Sequence, residues 1–188
     1  MSLPPPDPAI RLRWRVDPDA TAPEGAAAQD ATTDDRTADF DVFYRDAWAQ
    51  VARGLAATIG DRALAAEATD EAMARAYERW STVGGYEFPP GWVYRVGLNW
   101  ARSYHRRLAR ALPLRREESA EIGPIREPSV RAALLDLPVK LRSVVVCRLL
   151  LDWSVDETAD ALHIPPGTVK SRLSRALTTL EASLGHLR

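Results

Sequence analysis

Apolar positions recur at helical intervals through most of the chain beyond residue 36. The intervals predict one amphipathic helix over residues 37–60, capped by Thr37 or Asp39, and a second over residues 62–80, with a break at Gly60. We expect a loop over residues 81–90, because two Gly and two Pro fall there, and further helices over residues 91–107, 129–137 and 138–153. The pattern predicts an all-α protein.

The stretch from Ser154 to Leu180 predicts two helices joined by a tight turn. The first is short and amphipathic, the turn lies at His163, and Pro165-Pro166 suits the start of the second helix. One face of that second helix is apolar, and the opposite face carries Thr168, Lys170, Ser171, Arg172 and Arg175. Such a helix fits a DNA major groove, although many surface helices share this pattern.

The charges are segregated along the chain. Lys and Arg total 25 and Asp and Glu total 26. Residues 91–116 hold seven Arg and no acid, whereas residues 39–90 hold five Arg and nine acids, a net charge of 5 − 9 = −4. We expect the first segment to face a polyanion and the second to face a different partner.

The arginine-rich helix over residues 91–107 interleaves aromatic rings with cations. Its candidate single-strand surface consists of Trp92, Arg95, Asn99, Arg102, Arg106 and Arg107. In the preceding loop, Tyr86 and Phe88 either stack on unpaired bases or pack back onto the protein.

Catalytic and metal chemistry find little support in the sequence. The single cysteine, Cys147, is expected to be a small core residue, and the three His lie apart without a nucleophile motif. We expect no enzyme activity, no metal and no cofactor. No signal peptide or bilayer-spanning run is apparent, so we expect a cytoplasmic protein without membrane insertion.

Two stretches carry a family resemblance: GTVKSRLSRAL, residues 167–177, and WVYRVGLNWARSYHRR, residues 92–107. The chain over residues 38–185 resembles the sigma-70-type transcription initiation factors of the two-domain extracytoplasmic-function (ECF) group. His163 stands where that family usually has Gly, a position that requires a positive φ, so mild strain is expected.

The resemblance implies roles for individual residues. It places the helix that begins at Gly167 in the −35 major groove, Trp92 at the strand-separating wedge of the −10 element, and Asn99 at the base-contacting Asn. It makes the helix over residues 62–80 a docking surface for the clamp helices of the largest RNA polymerase subunit, with a solvated helix as the alternative. The implied polymerase-binding residues are Glu67, Asp70, Glu71, Met73, Arg75 and Tyr77, with Asp70 where a Gln is usual. Promoter DNA, the polymerase flap region and an anti-sigma factor or other regulator are the further partners implied.

The predicted organisation is a disordered tail over residues 1–36, a polymerase-docking and −10 domain over residues 37–112, a linker over residues 113–128 and a helix-turn-helix domain over residues 129–188. The 16-residue linker spans at most roughly 55 Å at about 3.4 Å per residue. In the tail, residues 10–16 alternate apolar and basic positions and either dock on a partner or stay solvated.

Two other functions share parts of this pattern. A dimeric helix-turn-helix regulator would have the same carboxy-terminal half, but the helical segment upstream lacks the βαβ pattern of a ligand or receiver domain. A helical adaptor that binds no DNA would leave the arginine-rich helix unexplained.

Overall fold

A computed structural model describes residues 33–111 and 128–185, and within them every regular element is a helix. The predicted all-α class is confirmed. The elements are α1 (Thr33–Ile59), α2 (Arg62–Glu78), α3 (Trp80–Val83), α4 (Pro89–Ala111), α5 (Pro128–Asp136), α6 (Val139–Val145), a π-helical turn (Val146–Leu150), α7 (Val155–Leu162) and α8 (Pro166–Gly185). The predictions for residues 1–32, 112–127 and 186–188 lie outside the described residues.

The break between α1 and α2 has a local cause. Gly60 has a φ of 92°, which glycine adopts without a steric cost, and its amide donates to the carbonyl of Ala56 at 2.9 Å. Asp61 then caps α2, because its side chain accepts a hydrogen bond from the amide of Leu64 at 3.0 Å. The predicted cap of α1 at Thr37 or Asp39 is wrong, since α1 begins at Thr33.

Two predicted boundaries differ from the structure. The loop expected over residues 81–90 includes most of the short helix α3 and the first residues of α4. The helix expected to reach Trp153 ends at Leu150, because a π-helical turn closes with the Leu151 amide donating to the Val146 carbonyl at 3.0 Å. Asp152 follows with a φ of 55°, in the left-handed region.

We call α1–α4 the amino-terminal half and α5–α8 the carboxy-terminal half. Helices α1, α2 and α4 pack closely because α2 presents a row of small residues, among them Ala68, Ala72 and Ala76, all fully buried. The two halves belong to one compact unit and share a hydrophobic core that includes Leu55, Leu151 and other residues of both. The division into two separate domains stays a prediction.

Candidate nucleic-acid and polymerase interfaces

The turn between α7 and α8 is fixed by hydrogen bonds at both ends of α7. The Ser154 hydroxyl accepts from the Glu157 amide at 3.0 Å, and the Glu157 carboxylate accepts from the Ser154 amide at 2.6 Å, which forms a capping box. At the other end His163 adopts φ 52° and ψ 55°, and the Ile164 amide donates to the Ala159 carbonyl at 3.0 Å. The predicted positive φ at His163 is confirmed. The Ser-x-x-Glu spacing is the sequence signal for the capping role of Glu157.

Helix α8 is held by one side. Val169 is fully buried against Val144 and Ala159. Ala176, about two helical turns further along the same face, is also fully buried. On the other side Lys170, Ser171 and Arg175 are exposed, and Thr168 and Arg172 are half-buried. Within residues 33–111 and 128–185, no carboxylate forms an ion pair with the cations of this face. The arrangement leaves their charges available to an anion such as a DNA phosphate.

The Arg175 side chain is partly oriented within the helix, because its Nε donates to the Ser171 carbonyl at 3.3 Å. The Ser171 hydroxyl in turn donates to the Thr168 carbonyl at 3.2 Å. A Cβ added at Gly167 would meet no atom within 4 Å, so the start of α8 is open to a close approach.

Helix α4 is anchored far more tightly. Val93, Tyr94, Leu98 and Ala101 are buried, and a Cβ added at Gly97 would lie 3.0 Å from the carbonyl oxygen of Ala68 on α2. The predicted single-strand residues are distributed as follows: Asn99, Arg102, Arg106 and Arg107 are exposed, whereas Trp92 and Arg95 are half-buried. Like α8, this exposed face has no ion pair with a carboxylate among the described residues.

The aromatic residues around α4 form two groups, one on the helix itself and one in the segment that precedes it. Trp100 and Tyr104 stack on each other with centroids 5.5 Å apart and an interplanar angle of 15°. Tyr86 is exposed, whereas Phe88 packs edge-on against Trp153 of the carboxy-terminal half at 4.9 Å. Of the two alternatives for the loop aromatics, Phe88 therefore contacts the protein in this structure, and Tyr86 stays accessible.

The predicted polymerase-binding residues lie on α2. Glu67, Asp70 and Tyr77 are exposed, and Glu71 and Arg75 are half-buried and form an ion pair at 2.7 Å. The Asp70 carboxylate accepts a hydrogen bond from the indole nitrogen of Trp48 on α1 at 2.7 Å.

Met73 differs from these residues, because its side chain is only 2% exposed and packs in the core. In this structure the Met73 side chain packs α2 onto the core and is not available for direct contact with a partner.

Aromatic rings gather where α1 lies beside the end of α2. Phe40 contacts both Tyr77 at 5.1 Å and Trp80 at 5.3 Å between ring centroids. Tyr77 is nonetheless 51% exposed, which gives this surface a large apolar group beside the acidic side chains of α2.

Three residues that the structure buries have no functional role predicted from the sequence. Tyr94 is fully buried and its hydroxyl lies 2.6 Å from that of Thr58. Burial raises the pKa of Tyr94 well above its usual value. Arg142 and Trp153 lie where the two halves meet, and no local sequence pattern marks either as an interface residue.

Within the described residues no helix is both long and apolar enough to cross a bilayer. In the same residues no three His, Cys, Asp or Glu side chains gather as metal ligands.

Residues 128–180 match the family model described as Sigma-70, region 4. The chain is 32% identical over 154 residues to the RNA polymerase sigma-E factor of Streptomyces coelicolor, covering 78% of this chain and 86% of that protein. It is 34% identical over 104 residues, 51% of this chain and 52% of the relative, to the ECF RNA polymerase sigma factor SigM of Mycobacterium tuberculosis.

A solved structure shares the fold: the sigma factor RpoE of Bartonella quintana, determined in complex with the anti-sigma factor NepR. It has a TM-score of 0.66 at 18% identity and covers 80% of this chain and 99% of its own. The region 4 match and the relative from Streptomyces coelicolor establish the family: the chain belongs to the sigma-70-type RNA polymerase sigma factors of the extracytoplasmic-function group, which are transcription initiation factors.

Proposed function

We propose that this protein binds core RNA polymerase and directs it to promoters with −35 and −10 elements. Helix α8 binds the −35 duplex, and α4 with the loop before it separates and holds the −10 strand. The observation that carries the proposal is the pair of helices with cationic faces that no carboxylate neutralises among the described residues. Helix α4 interleaves aromatic rings that can stack on bases with its cations. Helix α8 follows the hydrogen-bonded turn of a helix-turn-helix.

The two helices suit two forms of DNA. A major groove admits a helix that is held from one side, as α8 is through Val169 and Ala176. Unpaired bases need stacking partners and hydrogen bonds to base edges, which Trp92 and Asn99 supply on α4. The polymerase performs the chemistry, in the cytoplasm, and this chain supplies recognition and strand opening.

The polymerase-docking surface in this proposal is the exposed acidic and aromatic face of α2, and the partner is the clamp-helix region of the largest subunit. We also propose an anti-sigma factor or another protein regulator as a partner, since the sigma factor RpoE of similar fold was solved with one.

Co-purification with core polymerase, followed by run-off transcription on genomic fragments, tests the function. We expect a stable stoichiometric complex and defined transcripts that require the added chain. DNA binding without a polymerase complex would instead favour a dimeric helix-turn-helix regulator.

Charge reversal on α2 tests the docking surface and should give the largest loss of binding. Asp70→Lys with Glu71→Lys should weaken core-polymerase binding by several kcal/mol, because like charges meet across the interface. Since Asp70 accepts from Trp48, the matched control is Asp70→Asn with Glu71→Gln, which keeps an oxygen acceptor for the indole. Duplex binding by the full chain should stay unchanged in both variants. Normal polymerase affinity of the lysine variant would place the docking surface elsewhere.

A further inference from the structure

An aromatic side chain of α1 reaches the proposed docking face of α2. The indole Nε1 of Trp48 donates a hydrogen bond to the Oδ1 atom of Asp70 at 2.7 Å, although 22 residues separate the two in the sequence. Trp48 is half-buried and packs against the hydrophobic core, whereas Asp70 is exposed. The core therefore holds the ring while its N–H group binds a surface carboxylate.

We propose that Trp48 is a positioning residue of the polymerase-docking surface. Its indole holds the Asp70 carboxylate in one orientation and leaves the second oxygen, Oδ2, to accept from a lysine or arginine of core polymerase. Trp48 then acts through Asp70 and not by contacting the polymerase itself. The proposal rests on the proposed function of α2 and adds a residue of α1 that prepares the docking face.

The donor is neutral, and this determines what Asp70 can bind. An indole N–H supplies a hydrogen bond without a positive charge, so the carboxylate keeps its negative charge. The next residue, Glu71, differs, because Arg75 donates to its Oε1 atom from Nε at 3.0 Å and from Nη2 at 2.7 Å. Among the described residues Asp70 forms no ion pair. Its charge is therefore available to a cation of the partner, whereas that of Glu71 is already paired within α2.

Orientation affects how well an exposed aspartate binds. A side chain that is free to rotate populates several staggered rotamers, and a partner that needs one of them binds more weakly by the fraction in which that rotamer occurs. The hydrogen bond from Trp48 selects the rotamer of Asp70 before the partner arrives. A donor distance of 2.7 Å to a charged acceptor is typical of the stronger hydrogen bonds, which suits this role.

A second aromatic ring of α1 supports the same face of α2. Tyr77 lies seven residues after Asp70, which is about two helical turns and roughly 10.5 Å along the helix. Its ring contacts that of Phe40 at 5.1 Å and is nonetheless 51% exposed. Helix α1 thus places one ring beside each of two surface groups, one charged and one apolar. A polymerase helix that fits presents a cation and an apolar side chain about two turns apart.

A purely structural role for Trp48 would give a different result. The hydrogen bond would then only join α1 to α2, and its loss would lower the free energy of unfolding. The polymerase affinity of a folded variant would not depend on Trp48 through Asp70. The two roles are therefore separated by asking whether the two side chains are coupled in their effects on polymerase affinity.

The test is a double-mutant cycle in the full chain, with affinity measured on immobilised core polymerase. The variants are Trp48→Phe, Asp70→Ala and the two combined, and phenylalanine keeps an aromatic ring while it removes the N–H donor. Trp100→Phe is the matched control, since it replaces another half-buried indole, on α4. Circular dichroism and urea unfolding show whether each variant stays folded.

We expect Asp70→Ala to weaken polymerase binding roughly tenfold, because a charge contact is lost. Trp48→Phe should weaken it about threefold or more, since Asp70 then samples its three staggered rotamers. The double variant should bind like Asp70→Ala, because without the carboxylate the indole has nothing to position. Trp100→Phe should bind like the unchanged chain.

A spectroscopic measurement tests the contact without altering the core. In a chain with isotope-labelled tryptophan, the indole N–H resonance of Trp48 should shift in Asp70→Ala, because its acceptor is gone. This measurement decides the question even where Trp48→Phe lowers stability, since Asp70 is exposed.

The outcomes distinguish this proposal from the proposed function. Additive losses in the two variants, normal binding of Trp48→Phe or an unshifted Trp48 resonance in Asp70→Ala each overturn the positioning role. Strand and duplex binding, and docking by α2, are untouched by these results. If Asp70→Ala binds polymerase as tightly as the unchanged chain, Asp70 makes no contact and the positioning role fails with it. If the unchanged chain forms no stable complex with core polymerase, the proposed function itself fails.

Discussion

Helices α4 and α8 both present cations to solvent, yet the protein anchors them in different ways. Helix α4 is enclosed by α1 and α2 and is contacted by α7, and its glycine at position 97 permits a close approach to α2. Helix α8 buries Val169 and Ala176 on one side and leaves the start of the helix open.

The difference matches the two forms of DNA. A helix that enters a groove needs free space around it, so support from one side is an advantage. A surface that replaces base stacking must resist displacement while the strand is pulled from the duplex, and contacts on several sides provide that resistance. The predictions below test whether the two helices differ in this way.

Alanine substitution of one glycine on each helix should have opposite effects on stability. Gly97→Ala places a Cβ 2.7 Å from the Leu55 Cδ1 atom and 3.0 Å from the Ala68 carbonyl, and should cost about 1–3 kcal/mol of unfolding free energy. Gly167→Ala meets nothing within 4 Å and should stabilise by up to about 1 kcal/mol. Urea unfolding measures both, and equal effects would contradict the difference in anchoring.

Substitutions on α4 should impair strand opening more than polymerase binding. Trp92→Ala and Asn99→Ala should slow open-complex formation, since a stacked ring contributes about 1–3 kcal/mol per base and Asn holds an extruded base edge. Permanganate footprinting of unpaired thymines on duplex templates measures this step.

A template with a pre-melted bubble separates the two roles on α4. It should rescue Trp92→Ala more fully than Asn99→Ala, because a wedge is dispensable once the strands are apart, whereas a base reader is not. Normal opening in both variants would make these residues structural only.

The local features of both helices were largely predictable from the sequence, whereas the contacts between distant elements were not. The Gly60-Asp61 break and the apolar stripe of α8 follow from residue type and spacing. The left-handed conformation of His163 was implied by the family resemblance, which has Gly at that position. Arg142 looks like a solvated cation in its local sequence, because nothing nearby shows that the carbonyl of Thr58, 84 residues earlier, will accept from it.

The burial of Met73 was likewise uncertain from the sequence. A methionine at helical spacing fits a core as well as a partner surface, and only the packing of α2 against its neighbours decides between them. The π-helical turn after Val145 also depends on how its segment packs, since a run of apolar residues there suits a continuous α-helix equally well.

Arginine substitutions on α8 should weaken binding to duplex DNA and leave binding to single-stranded DNA unchanged. If either residue contacts a base, Arg172→Ala or Arg175→Ala should cost about 1–3 kcal/mol of binding free energy and relax the preference at one position. A phosphate contact should weaken all sequences alike and reduce the salt dependence. Arg62→Ala, at an exposed position of α2, removes the same charge and serves as the control. Unchanged duplex affinity in both α8 variants, with the fold intact, would remove this helix from the interface.

The smallest effect is expected at the turn before α8. His163 has a φ of 52°. This conformation is strained for any residue that has a Cβ atom and is not strained for glycine, so His163→Gly should raise the unfolding free energy by about 1 kcal/mol or less.

His163→Ala provides the control, because it loses the contact with Arg95 as glycine does but keeps the strained backbone. The melting temperature should rise by at most roughly 2–4 °C in the glycine variant and fall or stay unchanged in the alanine variant. Duplex affinity of α8 should be the same in both, since the hydrogen bonds of the turn come from the backbone. If glycine and alanine shift the melting temperature equally, the contact with Arg95 determines the effect of His163, and backbone strain does not.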